Sequence, residues 1–168
     1  MNNKAKALGL KNTKFQNATG LPVDDHYSTA YDMAMMGKEL LKYSSITKYT
    51  GKYESFLREN TEKKFWLVNT NRLVKFYPGV DGLKTGFTNE AKYCLTATAQ
   101  KDNMRVIAVV FGAENPKVRN AQVTKMLDYA FSQYTTHPVY KKNVELKKVM
   151  VSKGTEKTVA AVTSEPIK

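Results

Sequence analysis

Three runs of aliphatic and β-branched residues, 80–88, 92–99 and 104–112, follow one another through the middle of the chain. Only short polar turns separate them, Asn89-Glu90-Ala91 and residues 100–103. Runs of that length with such turns predict an antiparallel three-stranded meander. Asn115-Pro116 comes next, an N-cap residue followed by the residue best tolerated at the first helical position. Beyond it, apolar side chains recur at Val123, Met126, Leu127, Ala130, Phe131 and Tyr134. This is the spacing of a helix with one buried face, and it is expected to pack across the meander.

The remaining pattern is weaker. Residues 1–8 read as the last turns of a helix, with Gly9 as its C-terminal stop. A chain opening on the tail of a helix leads us to expect further sequence upstream. Residues 11–28 carry Asn12, Asn17, Gly20, Pro22 and Asp24-Asp25, which are turn formers, and read as a loop. A second helix is predicted over 30–42, capped by Thr29 with Asp32 as the reciprocal partner of a capping box. Met33, Met36, Leu40 and Leu41 form its apolar stripe. Residues 53–57 and 65–68 read as short strands, with the polar loop Asn69-Thr70-Asn71 after them. Past His137-Pro138, lysine- and threonine-rich strands are expected at 144–151 and 158–162. The fold class is therefore mixed, α/β in the broad sense and α+β in the narrow one: an antiparallel sheet with packed helices over 1–136, then the start of a β-rich unit over 137–168.

Composition narrows the function. Hydrophobic residues make up 42% of the 168, too many for a chain disordered by default. No apolar run is long enough to span a bilayer. The start, Met1-Asn2-Asn3-Lys4-Ala5-Lys6, is basic but has no apolar stretch behind it, so it is not a signal peptide. The net charge of +12 favours anionic partners. Its lysines are spread out, four within residues 1–14 and seven within 136–168, which reads first as a solvated basic surface. An anionic membrane or wall polymer is the functional counterpart. Aromatics are not interleaved with the basic residues as a nucleic-acid platform requires, so nucleic acid is not expected. The two histidines, His26 and His137, stand in no ligand spacing with Cys, Asp or Glu, so neither a metal nor a cofactor is expected. The single cysteine, Cys94, sits in an apolar run and reads as a buried, inert thiol.

Candidate chemistry lies on the first strand of the meander, at Lys84-Thr85-Gly86. A strand edge can hold an extended peptide as an added strand. A glycine there permits close backbone approach. A lysine and a hydroxyl beside it can bind a carboxylate, and the next backbone N–H can supply half of an oxyanion hole. As a bare tripeptide this is a weak signal, and an ordinary solvated Lys-Thr pair is its plain reading. Lys-Thr-Gly is also one of three hallmarks of active-site-serine β-lactamases and penicillin-binding proteins.

Several segments strengthen that reading. Leu8-Gly9-Leu10-Lys11-Asn12-Thr13, Asn17-Ala18-Thr19-Gly20-Leu21-Pro22, Ser28-Thr29-Ala30-Tyr31-Asp32-Met33-Ala34, Asn69-Thr70-Asn71, residues 80–88 and residues 106–112 resemble successive parts of low-molecular-mass D-alanyl-D-alanine carboxypeptidases, in particular those of Gram-positive spore formers. The resemblance covers about residues 1–135, and the tail resembles the beginning of that family's C-terminal β-domain. It implies a partial β-lactamase/transpeptidase-like fold. It implies that Lys84, Thr85 and Gly86 bind the terminal carboxylate of a D-Ala-D-Ala stem peptide or of a β-lactam. It further implies that Phe87 gives a backbone N–H to the oxyanion hole and that Arg119 helps hold the carboxylate. The parent enzymes work outside the cytoplasm, at the membrane or wall. A class A β-lactamase fits less well, because residues 17–32 and the tail match the carboxypeptidases better.

The family's nucleophile, the serine of Ser-x-x-Lys, and its Ser-x-Asn motif both lie upstream of Lys-Thr-Gly. Ser45-Ile46-Thr47-Lys48 fits the first word literally, but Lys48 precedes Lys84 by only 36 residues, with no room for the intervening helical domain. Thr61-Glu62-Lys63-Lys64 is a similar coincidence, and no Ser-x-Asn occurs. We therefore expect a binding strand without its nucleophile, no catalytic residue in the chain, and no acylation or turnover by the chain alone. The other reading is a non-catalytic relic that binds cell-wall peptide or a partner. In the family fold the strand at 104–112 pairs with an N-terminal strand, so the resemblance further implies an open outer edge along residues 106–111, or a partner chain there, with part of the helix-packing face bare.

Overall fold

The computed structural model describes residues 1–167, and these fall into two compact units, Met1–Gln133 and a second that begins at Tyr134. The boundary lies three residues before the one expected at 136, because the long helix stops at Gln133.

The first unit is built on a three-stranded antiparallel sheet. In chain order its elements are α1 (Asn2–Ala7), α2 (Ala30–Leu40), α3 (Ile46–Thr50), β1 (Glu54–Leu57), β2 (Phe65–Val68), α4 (Leu73–Phe76), β3 (Val80–Thr88), β4 (Lys92–Lys101), β5 (Met104–Ala113) and α5 (Pro116–Gln133). The sheet order is β3-β4-β5, the meander the hydrophobic runs predict. β1 and β2 form a separate hairpin, with Phe56 opposite Trp66.

Alternation along the central strand decides which helix goes where. Leu95, Ala97 and Ala99 of β4, with Ala108 of β5, form one face and are buried against Val123 and Leu127 of α5. Small alanines there let the helix come close. The other face of β4 carries Thr96 and Thr98, and α2 covers it. Gly37 of α2 makes that approach possible: a Cβ on it would lie 3.3 Å from Leu83 Cδ1 and 3.5 Å from Thr96 Cγ2. Leu73 and Tyr77 extend the α5-side core, and Tyr77 donates its hydroxyl proton to Asp128 Oδ1 at 2.7 Å.

The helix ends follow the local signals, with exceptions. Gly9, in the left-handed region at φ 71°, closes α1: its N–H meets the Lys6 carbonyl, and Leu10 N–H meets that of Ala5. Thr29 caps α2, its hydroxyl accepting from Asp32 N–H at 3.1 Å, and Asn115 caps α5 by accepting from Val118 N–H at 2.9 Å. The reciprocal half of the expected capping box does not form. The Asp32 carboxylate, 2% exposed, instead accepts from Asn12 N–H and the Thr13 hydroxyl, so it pins the 11–28 loop to α2. Three stripe residues are also corrected. Leu40 and Met126 are exposed, and Tyr134, which lies past the end of α5, is exposed too. Each buried stripe is narrower than the sequence spacing suggests, because each helix meets a flat sheet along one line.

β5 has β4 on one side and no strand on the other among the described residues. The edge expected along 106–111 is therefore open, and Phe111 at its end is exposed, while Val106 and Val110 are partly covered.

The second unit is a hairpin of β6 (Glu145–Met150) and β7 (Thr158–Val162), antiparallel with Val149 opposite Val159. Both strands are exposed throughout. Its one buried polar residue among the described residues, Thr163, accepts from Val144 N–H at 3.0 Å and donates to the Lys141 carbonyl at 2.6 Å. No helix among the described residues is long and apolar enough to cross a membrane.

Candidate carboxylate-binding site

β3 is the other edge of the sheet. It pairs with β4 on one side, with Thr85 opposite Leu95 and Gly86 opposite Cys94, and no strand flanks its outer side among the described residues. A hollow of about 500 Å³ opens beside it, lined by Thr70, Arg72, Lys84, Thr85, Tyr93 and Arg119 among others. Gly86 and Phe87 complete the strand side of that lining. The structure thus brings together every residue singled out in the sequence: Lys84, Thr85, Gly86, Phe87 and Arg119 share one hollow.

Each is placed by a separate device. Arg119 sits in the first turn of α5 and is only 4% exposed, not the ordinary surface arginine that its position alone suggests. Its guanidinium bonds the Asn120 side-chain oxygen, from Nε at 3.1 Å and from Nη2 at 3.0 Å. Burial lowers its pKa, while Cys94 and Tyr93 act in the opposite sense. A guanidinium remains charged under such a shift, so a cation is held in the wall of the hollow with no carboxylate bonded to it among the described residues. Lys84 bends back to donate to the Thr85 carbonyl, which keeps its ammonium beside the strand.

Thr85 is 8% exposed, and its hydroxyl lies 2.6 Å from that of Thr70. At Gly86 an added Cβ would meet only Cys94 Cβ, at 3.9 Å. Nothing in the protein's own packing demands glycine there, so the space over Gly86 is room for something outside the chain. Three cations, Arg72, Lys84 and Arg119, line the hollow, and no acidic side chain does. Such a site attracts a carboxylate and offers it charge-assisted hydrogen bonds.

The supporting loop was not legible as such. Asn71, 1% exposed, donates from Nδ2 to the Gly82 carbonyl at 3.0 Å and accepts from Leu73 N–H, tying α4 to the start of β3. Asn69 donates to the Thr50 and Lys52 carbonyls, both at 2.9 Å. Asp81 forms a two-pronged ion pair with Arg105 of β5, at 2.7 and 2.8 Å, across the sheet. Asn69-Thr70-Asn71 reads as a polar loop in sequence, and no local signal marks its contacts with β3.

One expectation is overturned, that for Cys94, while Ser45 and Lys48 lie where a coincidental motif is expected to lie. Cys94 is not buried: it is half-exposed, its thiol pointing at the Ala91 carbonyl 3.2 Å away. It lines a second hollow of about 590 Å³, together with Phe15, Met33 and Phe111, which shares residues 84–87 of β3 with the first. The Tyr93-Cys94-Leu95 run is apolar, but alternation sends Cys94 away from the core that Leu95 enters. Ser45 and Lys48 are both exposed, and neither lines the Lys84 hollow. Among the described residues no group of three or more His, Cys, Asp or Glu could hold a metal ion.

An edge strand with Lys-Thr-Gly, backed by an amphipathic helix carrying a buried arginine, is the arrangement of the penicillin-binding and β-lactamase-like class. Over residues 1–115 the chain matches the family model for D-alanyl-D-alanine carboxypeptidase, and it belongs to that family of serine peptidases. It is 72% identical over 167 residues to D-alanyl-D-alanine carboxypeptidase DacF of Bacillus subtilis, covering 99% of this chain and 43% of that protein. It is 36% identical over 141 residues to DacC of Escherichia coli, covering 81% of this chain and 33% of that protein. Among solved structures, penicillin binding protein 5 from Haemophilus influenzae superposes with a TM-score of 0.79 at 29% identity, over 98% of this chain and 47% of that one. The Streptomyces K15 DD-transpeptidase superposes with a TM-score of 0.72 at 29% identity, over 78% and 52%. The chain thus spans less than half the length of these curated relatives.

Proposed function

We propose that this chain supplies the carboxylate-binding wall of a serine-type D-Ala-D-Ala carboxypeptidase, which removes the terminal D-alanine from peptidoglycan stem peptides through an acyl-serine intermediate. The observation that carries the reading is the convergence of Lys84, Thr85 and Arg119 on one acid-free hollow beside an unpaired strand edge. In this reading the stem peptide lies along β3 as an added strand. Its terminal carboxylate meets Thr85, Lys84 and Arg119. The space over Gly86 admits the peptide backbone, and Phe87 N–H forms half of the oxyanion hole. β-Lactams, which present a carboxylate beside a reactive carbonyl, enter the same hollow in the whole protein.

The nucleophile and its base come from sequence outside these 168 residues. Ser45 is exposed and is not among the residues that line the hollow, which supports that assignment. Without a nucleophile only binding and oxyanion stabilisation remain. The chain alone is therefore neither acylated nor active. The whole protein acts outside the cytoplasm at the wall or membrane, and the unit beginning at Tyr134 is the start of its C-terminal β-domain. The surplus of lysine suits an anionic wall polymer or membrane surface.

Two measurements test this. In an NMR titration with an acyl-L-Lys-D-Ala-D-Ala tripeptide, shifts are expected around Lys84, Thr85 and Arg119, and the affinity is expected to fall about tenfold or more, while staying measurable, when the C-terminus is an amide. Equal response to acid and amide refutes carboxylate recognition. Incubation with a labelled penicillin is expected to leave the chain unmodified; covalent label on Ser45 refutes the placement of the nucleophile.

A further inference from the structure

We propose that Thr70 is a positioning residue for the Thr85 hydroxyl, acting as the first link of a two-hydroxyl relay to the bound carboxylate. The inference rests on the carboxylate-binding reading above. A hydroxyl has one proton and two lone pairs, so toward an anion it is useful only as a donor. The Thr70 and Thr85 oxygens lie 2.6 Å apart, so one proton sits between them. If Thr85 supplies that proton, its lone pairs face the incoming carboxylate. If Thr70 supplies it, the Thr85 proton is left to point into the hollow. An anion there selects the second arrangement, and Thr70 O–H, Thr85 O–H and carboxylate then form a chain in which each bond polarises the next.

The loop around Thr70 is built to hold that geometry. Asn69 is bonded to the Thr50 and Lys52 carbonyls, and its side-chain oxygen accepts from Asn71 N–H at 2.9 Å. Asn71 is bonded in turn to the Gly82 carbonyl of β3. Thr70 is the one residue between two clamped asparagines, and Thr85 is the one hydrogen-bond partner of its hydroxyl among the described residues. The plain alternative, a surface threonine that touches Thr85 incidentally, does not require both neighbours to be fastened to β3 and the end of α3.

The test is the same NMR titration of the full chain with the acid and amide forms of acyl-L-Lys-D-Ala-D-Ala, applied to Thr70→Val, Thr70→Ala, Thr70→Ser and Thr85→Val. Thr70→Val keeps the shape and removes the hydroxyl. Loss of a charge-assisted bond of this kind is expected to weaken binding of the acid form about tenfold. Binding of the amide form stays unchanged, and Thr70→Ser stays within about twofold of wild type. Thr70→Ala repeats the loss if the packing of valine disturbs the loop. A merely structural threonine shifts acid and amide binding alike, and serine does not rescue it. If Thr70→Val and Thr70→Ala bind the acid form as wild type does while Thr85→Val does not, the relay is overturned and the carboxylate reading stands. If wild type itself fails to distinguish acid from amide, both fall together.

Discussion

Ser45-Ile46-Thr47-Lys48 and Lys84-Thr85-Gly86 are both short motifs that pair a lysine with a hydroxyl residue, and the fold treats them in opposite ways. The first lies at the short helix α3, where Ser45 and Lys48 are exposed. The second lies on a sheet edge, where Thr85 is nearly buried, a clamped loop supplies its hydrogen-bond partner and a buried arginine faces the same hollow. The difference is one of surroundings. A word with chemical potential becomes a site only where other segments fix its side chains and exclude competing partners.

The largest effect expected is at Asn71. Asn71→Ala leaves the Gly82 carbonyl and Leu73 N–H unpaired in a buried place, which costs about 2–3 kcal/mol. It should appear as a lowered urea midpoint together with loss of tripeptide binding. If stability falls and binding survives, the clamp is not what shapes the site.

Arg119 separates the two properties. Its burial without a carboxylate partner opposes folding, so Arg119→Met is expected to leave stability equal or higher while weakening the acid tripeptide at least about tenfold, on the scale of a lost charge-assisted bond. Denaturation and NMR titration of one sample read both. A variant that loses stability and keeps its binding removes Arg119 from the site.

Tyr77 gives a pH signature. Burial first, then its bond to Asp128, pushes its phenol from 10.0 up to about 12. The folded state thus favours the neutral phenol. Its contribution is fully present below pH ~10 and is lost as pH rises toward 12. Urea unfolding at pH 9 and pH 11.5 should show a steeper fall for wild type than for Tyr77→Phe; equal slopes mean that the pair does not anchor α4 to α5.

The smallest effect is the sharpest check of the contrast. Ser45→Ala should change stability by no more than about 0.5 kcal/mol and leave tripeptide binding untouched. Any larger change moves α3 into the functional part of the molecule.

Much of this was legible in advance for a physical reason. Strand runs at 80–88, 92–99 and 104–112, within one or two residues of the observed strands, the cap at Asn115 and the buried positions Val123 and Leu127 are set by patterns within about a dozen residues, where period and capping chemistry dominate. Asp32 shows where local reasoning fails. Its spacing from Thr29 fits a capping box, yet Asn12 N–H and the Thr13 hydroxyl, 20 and 19 residues away, take its carboxylate. Cys94 shows the same limit, since an apolar run does not say which of its residues faces the core. Leu40 and Met126 fit helical stripes, but the width of a buried stripe depends on the shape of the surface that the helix meets.

The strands, the helices α1, α2 and α5, their order and the family word on β3 were readable because each is encoded in a contiguous stretch, whereas the short helices α3 and α4 were not foreseen. The sequence by itself also determined that Ser45-x-x-Lys48 was out of place, by counting residues. Only the tertiary structure decided that Arg119 is buried beside Thr85 and that Thr70 touches it. It alone decided that Asn69 and Asn71 hold that contact in place. These pairings join residues 11 to 34 positions apart, and their energies are fixed by desolvation and hydrogen-bond geometry, which exist only once the sheet, α5 and the loop have packed.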